Sequence, residues 1–317
     1  MQPFNRISRF NIYILNVIFI KMIKTVKSTI ESYFNALMPA TSKRNEDFSE
    51  RIKRRHTTFW KTPNAEKVRN TIMNANDSIE KWQDVKNWQR KLSNKYNSRE
   101  FAAKYNCKVA ELYWKGRDNN NIHFTNIPMQ YVIRPTIGHS SGLVFLIDNS
   151  LNLMDGKTYQ PQEIKEILGK ALQENSHLEF LIEEFVRNEK GEYKIPDDYK
   201  FYMFNGQISS IQVINRFGRS KGLNTWYDEN WNEMISITSN YERGQVQQAP
   251  LCLPEMIAYA KKLSVEYKIF ARIDFYATDK GAVFGEFTPT PALGKGFTPE
   301  GNKLLSKYWD KYCNGLI

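Results

Sequence analysis

Hydrophobic and polar residues follow one another in short alternating runs through the C-terminal two thirds of the chain. Runs of this length, rich in β-branched and aromatic residues, predict strands. One longer segment, PQEIKEILGKALQE, has the apolar spacing of a helix and opens with a proline, which is favoured in the first turn. Strands are predicted at 129–134 and 143–147, joined by the loop PTIGHSSG, with a helix at 161–174 and a further strand at 179–186. The pattern indicates the α+β class.

Two strand pairs further along the chain carry turn signals. In the first, DYKFYMF and QISSIQVIN flank an Asn-Gly dipeptide at 205–206, which is typical of a two-residue type I′ turn. The register that this turn sets places Lys200 opposite Ile211, on a mostly apolar face of the sheet. A lysine there either extends along the face to solvent or reaches a phosphate in a neighbouring cleft, and the sequence leaves both open.

The second pair lies within IFARIDFYATDKGAVFGEFT, at 269–288. The D-K-G segment predicts a three-residue hairpin loop with glycine in the left-handed position, which pairs Thr278 with Ala282. Counting back from this pair gives the facing positions of the remaining residues on the two strands.

In this register Asp274 faces Glu286, and Arg272 faces Thr288. Carboxylates directly opposite each other repel, so the pair needs a positive group nearby. Arg272 supplies one positive charge, and a hard divalent ion such as Mg²⁺ favours two such oxygen ligands together with substrate phosphates. The alternative is a surface acid pair that Arg272 alone neutralises.

The net charge of +11 belongs almost entirely to the N-terminal part of the chain. Residues 1–91 hold 18 basic and 8 acidic residues, and the rest of the chain holds 27 and 26. A basic arm of this kind suits an anionic lipid surface, a nucleic acid or a polyanionic substrate, and charge alone does not choose among them.

Three segments make up this arm. The apolar run at 10–20 is too short for a bilayer, which needs about 20 residues, and predicts a helix that lies in a membrane interface or packs on the main domain. Residues 41–55 predict a linker or a solvated helix. Residues 64–91 have roughly helical spacing, which predicts a packing face with Trp82 and Trp88. Since no RNA- or DNA-binding motif accompanies it, we expect no nucleic-acid partner.

The cysteines and histidines exclude two common classes of site. Cys107, Cys252 and Cys313 lie far apart without a CxxC spacing, which argues against a disulfide scaffold. The four histidines are scattered, so no zinc-ligand spacing occurs. Nor does any spacing suggest a Ser–His or Cys–His nucleophile.

Six segments together resemble the TupA-like ATP-grasp family, which is associated with cell-surface polysaccharide and teichuronopeptide biosynthesis. They are LSNKYNSREFA (92–102), IEEFV (182–186), PDDYKFYMFNGQI (196–208), WYDENWN (226–232), ARIDFY (271–276) and GEFTPTPALG (285–294). The resemblance covers roughly residues 90–305. It implies the ATP-grasp fold, in which two α+β subdomains, here at 91–186 and 187–317, grip ATP after a basic, mainly helical extension at 1–90.

The resemblance implies a magnesium site on facing strands. Asp274 and Glu286 would hold Mg²⁺ that bridges the ATP phosphates. Thr288 takes the third metal-side position, where ATP-grasp enzymes at large often have asparagine. Arg272 would stabilise charge on the reacting carboxyl-phosphate, and Lys200 would reach phosphate or substrate.

The resemblance also implies how the nucleotide is bound. Residues 183–186 would form the hinge whose backbone meets the adenine edge, and the loop at 138–142 would close over the γ-phosphate. The strand before this loop usually ends in a phosphate-binding lysine, whereas this chain has Arg134, which keeps the charge and adds a two-pronged donor. The implied nucleotide-binding positions are Arg134, Gly138, Ser140, Ser141, Gly142, Glu183, Glu184, Phe185, Val186 and Lys200.

The activity that the resemblance implies is a ligase reaction that consumes ATP with Mg²⁺. A carboxylate on a glycan or amino acid would attack the γ-phosphorus, and an amine would then displace phosphate from the acylphosphate. One alternative is a metal-dependent glycosyltransferase that uses a nucleotide-sugar and the pair Asp197–Asp198. The other is a nucleotide-binding module without catalysis. The expected location is the cytoplasm, with peripheral contact at the inner membrane face through residues 1–27.

Overall fold

The computed structural model describes residues 46–138, 143–219 and 221–313. Contacts within the chain divide it into Met1–Glu46 and one compact unit, Asp47–Ile317. The apolar run at 10–20 and the proposed membrane contact at 1–27 lie outside the described residues. None of the helices in the described part is long and apolar enough to cross a membrane.

The described residues contain seven α-helices and twelve strands. The helices are α1 (Phe48–Trp60), α2 (Ala65–Asn70), α3 (Ile79–Trp82), α4 (Lys95–Lys104), α5 (Pro161–Glu174), α6 (Leu253–Tyr267) and α7 (Pro299–Tyr312), with 3-10 turns at Trp88–Ser93, Asn119–Asn121, Phe124–Asn126 and Pro291–Gly294. The strands are β1 (Leu112–Gly116), β2 (Gln130–Pro135), β3 (Phe145–Asp148), β4 (Leu151–Asn152), β5 (Lys157–Thr158), β6 (Phe180–Glu184), β7 (Asp198–Phe204), β8 (Gln207–Arg216), β9 (Gly222–Tyr227), β10 (Glu242–Arg243), β11 (Phe270–Thr278) and β12 (Gly281–Thr288).

The strands form two six-stranded sheets, in the orders β1-β6-β2-β3-β4-β5 and β10-β9-β8-β7-β11-β12. Helix α5 covers the first sheet with Ile164, Leu168 and Leu172, which pack on its apolar face. The helix has the predicted bounds, because Pro161 begins it and a capping box between Gln160 and Glu163 satisfies its first backbone groups. Two sheets with segregated helices confirm the α+β class.

The second sheet is covered differently on its two faces. On one face, Phe201 and Met203 belong to the core that α6 closes. The opposite face carries Tyr202 and Phe204, which pack with α1 and α7 at one end only. Because side chains alternate along a strand, Lys200 points to the same side as Tyr202. That side remains open beyond the aromatic end and faces the first sheet as a cleft.

The segment before α4 packs more closely on the sheets than the sequence suggested. Residues 41–55 were expected to form a linker or a solvated helix, but Phe48 and Ile52 of α1 are completely buried in the core shared with α7. Trp82 and Trp88 are also buried, which confirms the packing interpretation of residues 64–91. Their helical segments are shorter than the spacing predicted. The division of the chain at 90 and 186 stays a prediction.

The hairpin of β11 and β12 has the predicted pairing of Asp274 with Glu286, but its loop is shorter than predicted and one strand contains a bulge. The three-residue loop was wrong, because Thr278 pairs with Gly281 and the loop has two residues. A bulge between Asp274 and Phe275 compensates, since Gly285 on β12 is the extra residue. A side chain at Gly285 would place its Cβ 3.0 Å from the Asp274 carbonyl oxygen. The bulge therefore restores the predicted facing of Asp274 with Glu286.

The pairing of Lys200 with Ile211 was also wrong. The Asn-Gly turn pairs Phe204 with Gln207 as predicted, but a bulge between Tyr202 and Met203 shifts the register by one residue. Lys200 therefore lies opposite Gln212 on β8 and opposite Asp274 on β11. The lysine faces a carboxylate rather than an apolar strand.

The three cysteines give a test of the packing. All are free and buried, and burial raises the pKa of the Cys107, Cys252 and Cys313 thiols to about 12. At pH 8 a thiol with this pKa is ionised about 1,000-fold less than an ordinary cysteine, and the thiolate is the reactive form. We expect native protein to react with Ellman's reagent at least about 100-fold more slowly than protein unfolded in guanidinium chloride. A cysteine that reacts at the unfolded rate would contradict this packing.

Candidate active site

A cleft of about 900 Å³ lies between the two sheets. The first sheet and the segment after it contribute apolar and charged side chains, and the second contributes six charged side chains together with aromatic and neutral polar ones. The lining includes Lys95, Val132, Arg134, Leu146, Met154, Glu183, Glu184, Phe185, Val186, Lys200, Arg272, Asp274, Glu286 and Thr288. Most residues that the sequence singled out are thus brought to one cavity.

Asp274 lies at the centre of the charged side of this cleft. Its carboxylate accepts two hydrogen bonds from Arg272, at 2.7 and 2.8 Å, and one from Lys200 Nζ at 2.5 Å. Burial alone would raise the pKa of Asp274, but Arg272 and Lys200 outweigh it and hold that pKa below its ordinary value. Asp274 is therefore an anion that fixes two cations in the cleft.

Glu286 lies beside Asp274 and is more accessible. Its Oε1 accepts a hydrogen bond from Thr288 Oγ1 at 3.2 Å, and its Oε2 is 3.8 Å from Lys95 Nζ. The same Arg272 Nη2 atom lies 2.8 Å from Asp274 Oδ2 and 3.4 Å from Glu286 Oε1. One guanidinium nitrogen thus joins the two acids that face each other across the strands.

The oxygen atoms of Asp274, Glu286 and Thr288 suit a hard divalent ion. The described residues contain no cluster of three or more His, Cys, Asp or Glu that would enclose a metal by itself. Mg²⁺, however, is commonly bound by one or two carboxylates and completed by substrate phosphates. Asp274 uses three of its roughly four acceptor positions, and Glu286 is about one third exposed, so both retain capacity for a metal. The donor set fits magnesium.

Glu183, at the expected hinge, is enclosed by two arginines. Arg99 Nη1 donates to its Oε1 at 2.7 Å, and Arg134 Nε donates to its Oε2 at 2.6 Å. Burial would raise the pKa of Glu183, but Arg134 and Arg99 hold it below the ordinary value. Arg134 also reaches the Gly285 carbonyl oxygen at 3.3 Å, so the side chain spans from the first sheet to the bulge of the second.

The rest of the expected hinge lies at the apolar end of the cleft. Glu184 accepts a hydrogen bond from Lys280 in the turn of the β11–β12 hairpin and another from the Glu111 backbone N–H at 3.3 Å. Phe185 and Val186 follow and line the cleft. Their neighbours there are the apolar Leu146 and Met154.

The expected phosphate-covering loop is described only at its start. Gly138 lines the cleft and has φ +127°, a conformation that favours glycine. Its carbonyl oxygen accepts a hydrogen bond from Lys95 Nζ at 3.3 Å. Ser140, Ser141 and Gly142 lie outside the described residues, and their role stays a prediction.

Two basic positions of the candidate site were missed from the sequence. Lys95 opens α4, and its ammonium group lies between the Gly138 carbonyl and Glu286. Burial lowers the pKa of Lys95, and Glu286 partly opposes this. Arg99, one turn later, completes the Glu183 pair. Both lie in LSNKYNSREFA, and the available signal was their spacing of four residues, which puts them on one helix face.

Comparison with known families decides the relationship that these residues suggested. Residues 75–308 match the model for TupA-like ATPgrasp. The chain belongs to the TupA-like ATP-grasp family. The match confirms the resemblance and the ATP-grasp fold, and it begins at residue 75, so α1 and α2 lie outside it.

Several solved structures are similar to this TupA-like chain at low identity. D-alanine–D-alanine ligase from Bacillus anthracis is 16% identical, with a TM-score of 0.46 over 70% of this chain and 66% of that one. The same ligase complexed with ATP is 14% identical, with a TM-score of 0.45 over 70% and 65%. D-Cycloserine synthetase DcsG is 14% identical, with a TM-score of 0.46 over 74% and 76%. The chain thus spans just under two thirds of the length of the D-alanine ligase. No curated protein matches it significantly.

Proposed function

We propose that this chain is an ATP-dependent ligase that joins a carboxylate to an amine through an acylphosphate. One observation carries the proposal: Asp274 and Glu286 converge on one Arg272 nitrogen, inside a cleft that also holds Lys95, Lys200 and other cations. Paired carboxylates surrounded by basic side chains are what phosphoryl transfer from a metal-bound triphosphate requires, because its catalysis is positioning and charge neutralisation.

The apolar end of the cleft suits the nucleotide base. Leu146, Met154 and Phe185 form one apolar cluster there, and Val186 lies beside it. The hinge backbone between Glu184 and Val186 would meet the edge of adenine, as in the family. Moving along the cleft towards Asp274, the lining changes from apolar to cationic, which is the order in which ATP presents its base and its phosphates.

The charged part of the cleft suits the triphosphate and its metal. Asp274, Glu286 and Thr288 would hold Mg²⁺, and the metal when bound would neutralise charge on the transferred phosphoryl group. Lys95 and Arg134 would contact the phosphate oxygens that face the first sheet. Loss of one charge-assisted hydrogen bond of this kind costs about 1.5–3 kcal/mol.

The chemistry then follows without a protein nucleophile. The substrate carboxylate oxygen forms a bond to the γ-phosphorus, the bond to the β–γ bridging oxygen breaks, and ADP leaves. An amine next attacks the acyl carbon, loses a proton and expels inorganic phosphate, which leaves an amide. Arg272 would stabilise the negative charge on the acylphosphate, and Asp274 would hold Arg272 in place through its two hydrogen bonds.

The substrate class follows from family relationship alone. A carboxylate-bearing glycan or an amino acid of cell-surface polysaccharide biosynthesis is the proposed donor, and the reaction would take place in the cytoplasm. The glycosyltransferase alternative finds less support, because only Asp198 of its acid pair lines the cleft and Asp197 does not. Burial raises the pKa of the neighbouring Asp197.

Lys95→Met tests the nucleotide site. We expect this variant to bind the non-hydrolysable analogue AMP-PNP with Mg²⁺ about 10- to 100-fold more weakly, because one phosphate contact is lost. Isothermal titration calorimetry measures the change. Lys303→Met, which removes an exposed lysine of α7 outside the cleft, is the matched control. Equal affinities of the two variants would contradict the role of Lys95.

ADP release tests the activity itself. Purified protein with MgATP is screened against pairs of amines and carboxylates, including amino acids, uronic acids and glycan fragments, and ADP and the amide are both measured. We expect ADP and amide in equal amounts with one class of pair. Nucleotide binding without turnover by any pair would favour the non-catalytic alternative, and consumption of a nucleotide-sugar without ATP would favour the glycosyltransferase.

A further inference from the structure

The cleft continues past the acid pair into a second region, which we call the distal compartment. Strand β11 gives its direction: the Thr278 end bridges to Asn188 just after the hinge, whereas the Phe270 end packs against Phe48 of α1. Asp274 lies between these ends. The lining of the distal compartment is His56, Thr238, Asn240, Leu293, Lys295 and Phe297.

Helix α1 forms a wall behind this compartment. Arg55 donates from Nη1 to the Phe270 carbonyl oxygen at 2.7 Å and to the Pro289 carbonyl oxygen at 3.1 Å. The helix thereby fixes the loop that follows β12 and lines the cleft. A side chain at Gly294 would clash with the Ser49 carbonyl oxygen, so loop and helix are in direct contact. Since α1 precedes the family match, this wall belongs to the chain's own N-terminal part.

Two buried arginines meet at this wall without an acidic partner. Arg90 donates from Nη2 to the Arg55 carbonyl oxygen at 3.2 Å, and its Nη1 lies 3.5 Å from Thr290 Oγ1. Both arginines are 5% exposed, and within the described ranges neither forms an ion pair. Their hydrogen bonds go to carbonyl and hydroxyl oxygens, and their guanidinium groups lie over the rings of Tyr267 and Phe59, so neither charge is neutralised by an anion. Lys295, exposed at the rim, adds a third cation.

The acids of the cleft do not neutralise these cations. Each carboxylate that lines the cleft is already within ion-pair distance of a basic side chain other than Arg55, Arg90 or Lys295. These five carboxylates are Glu183, Glu184, Asp198, Asp274 and Glu286. His56 lines the compartment, but burial and Arg90 lower its pKa, so it carries less positive charge than an ordinary histidine. A surplus of positive charge at one end of a cleft attracts an anion there.

A buried hydroxyl in the same compartment lacks a partner. Thr238 is 3% exposed, and its Oγ1 forms no hydrogen bond with the described residues. Buried polar atoms are normally satisfied, so this hydroxyl, which itself has almost no accessible surface, marks a polar group in the wall that the fold leaves without a partner. Ala292 and Leu293, on the opposing loop, both have left-handed backbone conformations, which is unusual for residues with side chains.

We propose that the distal compartment binds the second substrate through a carboxylate or phosphate group that does not react, and that α1, through Arg55 and Arg90, sets this preference. The inference rests on the ligase function proposed above, because it concerns the other half of the same cleft. It adds a selectivity: the substrate bound beyond Glu286 is anionic even apart from its reacting group.

Methyl NMR spectroscopy tests this with the full chain in its AMP-PNP–Mg²⁺ complex. Leu146 and Val186 report on the nucleotide half of the cleft, and Thr238 and Leu293 report on the distal compartment. The probes are sodium D-glucuronate and D-glucose 6-phosphate, with neutral D-glucose as the matched control. We expect both anions to give saturable shifts at Thr238 and Leu293, and D-glucose to give none.

Variants locate the charge that is responsible. Lys295→Met, at an exposed position, and Arg90→Met are each expected to weaken anion binding about tenfold. Arg69→Met removes a cation that lies over Trp60 outside the cleft and should leave binding unchanged. If Arg90→Met does not fold, the anion affinity of Lys295→Met alone tests the proposal.

The possible failures are distinct. Equal shifts with D-glucose, no shift with either anion, or undiminished binding by the folded cleft variants would overturn the anionic subsite. The absence of shifts at Leu146 and Val186 when AMP-PNP is added would instead overturn the proposed nucleotide site, and with it the ligase function.

Discussion

Asp274→Asn is expected to lower the rate of ADP release about 1,000-fold, even though asparagine has nearly the same shape as aspartate. The substitution removes the anion that accepts two hydrogen bonds from Arg272 and one from Lys200. Without it Arg272 no longer has a fixed orientation towards the reacting group, and the proposed Mg²⁺ site loses one of its two carboxylates. Coupled measurement of ADP at saturating ATP, with the best acceptor pair, gives the rate.

The control for this variant is Asp279→Asn on the same hairpin. Asp279 pairs with Arg187 near the turn and does not line the cleft, so turnover should stay within about twofold of the original. Thermal unfolding of both variants shows whether each is folded at the assay temperature. A folded Asp274→Asn variant that retains most of its turnover would exclude a central catalytic role for this carboxylate.

Glu183→Gln is expected to lower the free energy of unfolding by about 3–5 kcal/mol. The side chain is 4% exposed and pairs with Arg99 and Arg134, whose side chains are 9% and 14% exposed. Glutamine leaves Arg134 in a largely buried place without an ion-pair partner among the described residues, and it leaves Arg99 with only Glu100, whose Oε1 lies 3.6 Å from Arg99 Nε. Urea unfolding of original and variant measures the loss. Glu184→Gln is the matched control, since its partner Lys280 is 56% exposed and such a pair contributes at most about 1 kcal/mol.

Lowering the pH should remove the difference in unfolding free energy between the original protein and Glu183→Gln. Folding lowers the pKa of Glu183, so its stabilisation is complete above the ordinary glutamate pKa of about 4.3 and is lost as pH falls through the lower folded value. Glutamine has no such dependence. We therefore expect the gap in unfolding free energy between the original protein and Glu183→Gln to be largest near neutral pH and to shrink below about pH 4. A gap that stays constant on acidification would show that the arginines are stabilised by other groups.

Local signals in the sequence were sufficient for the elements whose ends are set by neighbouring residues. Pro161 and the capping box fix the start of α5, and the Asn-Gly turn fixes the pairing of Phe204 with Gln207. The family could also be recognised, because the order of several motifs along the chain is more specific than any one of them. These features depend on contacts within a few residues or on pattern, and both are visible in the sequence.

The position of Lys200 could not be predicted from its turn. The turn sets the pairing of the residues next to it, but a bulge between Tyr202 and Met203 then shifts the register by one residue. Asp274 and Glu286 were placed opposite each other correctly, although the loop had the wrong length, because the bulge at Gly285 offset the error. Bulges depend on packing across the sheet, which turn residues do not report.

Contacts between segments far apart in the sequence could not be predicted either. Arg99 and Glu183 are 84 residues apart, and Arg55 reaches carbonyl groups more than 200 residues away. The sequence showed a basic N-terminal arm, but it did not show that two of its arginines are buried behind the cleft. Such pairings arise only when the fold brings the segments together.

The bulge at Gly285 separates the tip of the β11–β12 hairpin from the paired acids Asp274 and Glu286 on the same two strands. The extra residue at this point offsets a difference of one residue in the length of the tip, so the facing of Asp274 and Glu286 does not depend on the turn alone. For protein engineering, changes at the tip that keep the contacts of Lys280 with Glu184 and of Asp279 with Arg187 are therefore expected to leave the paired acids in place.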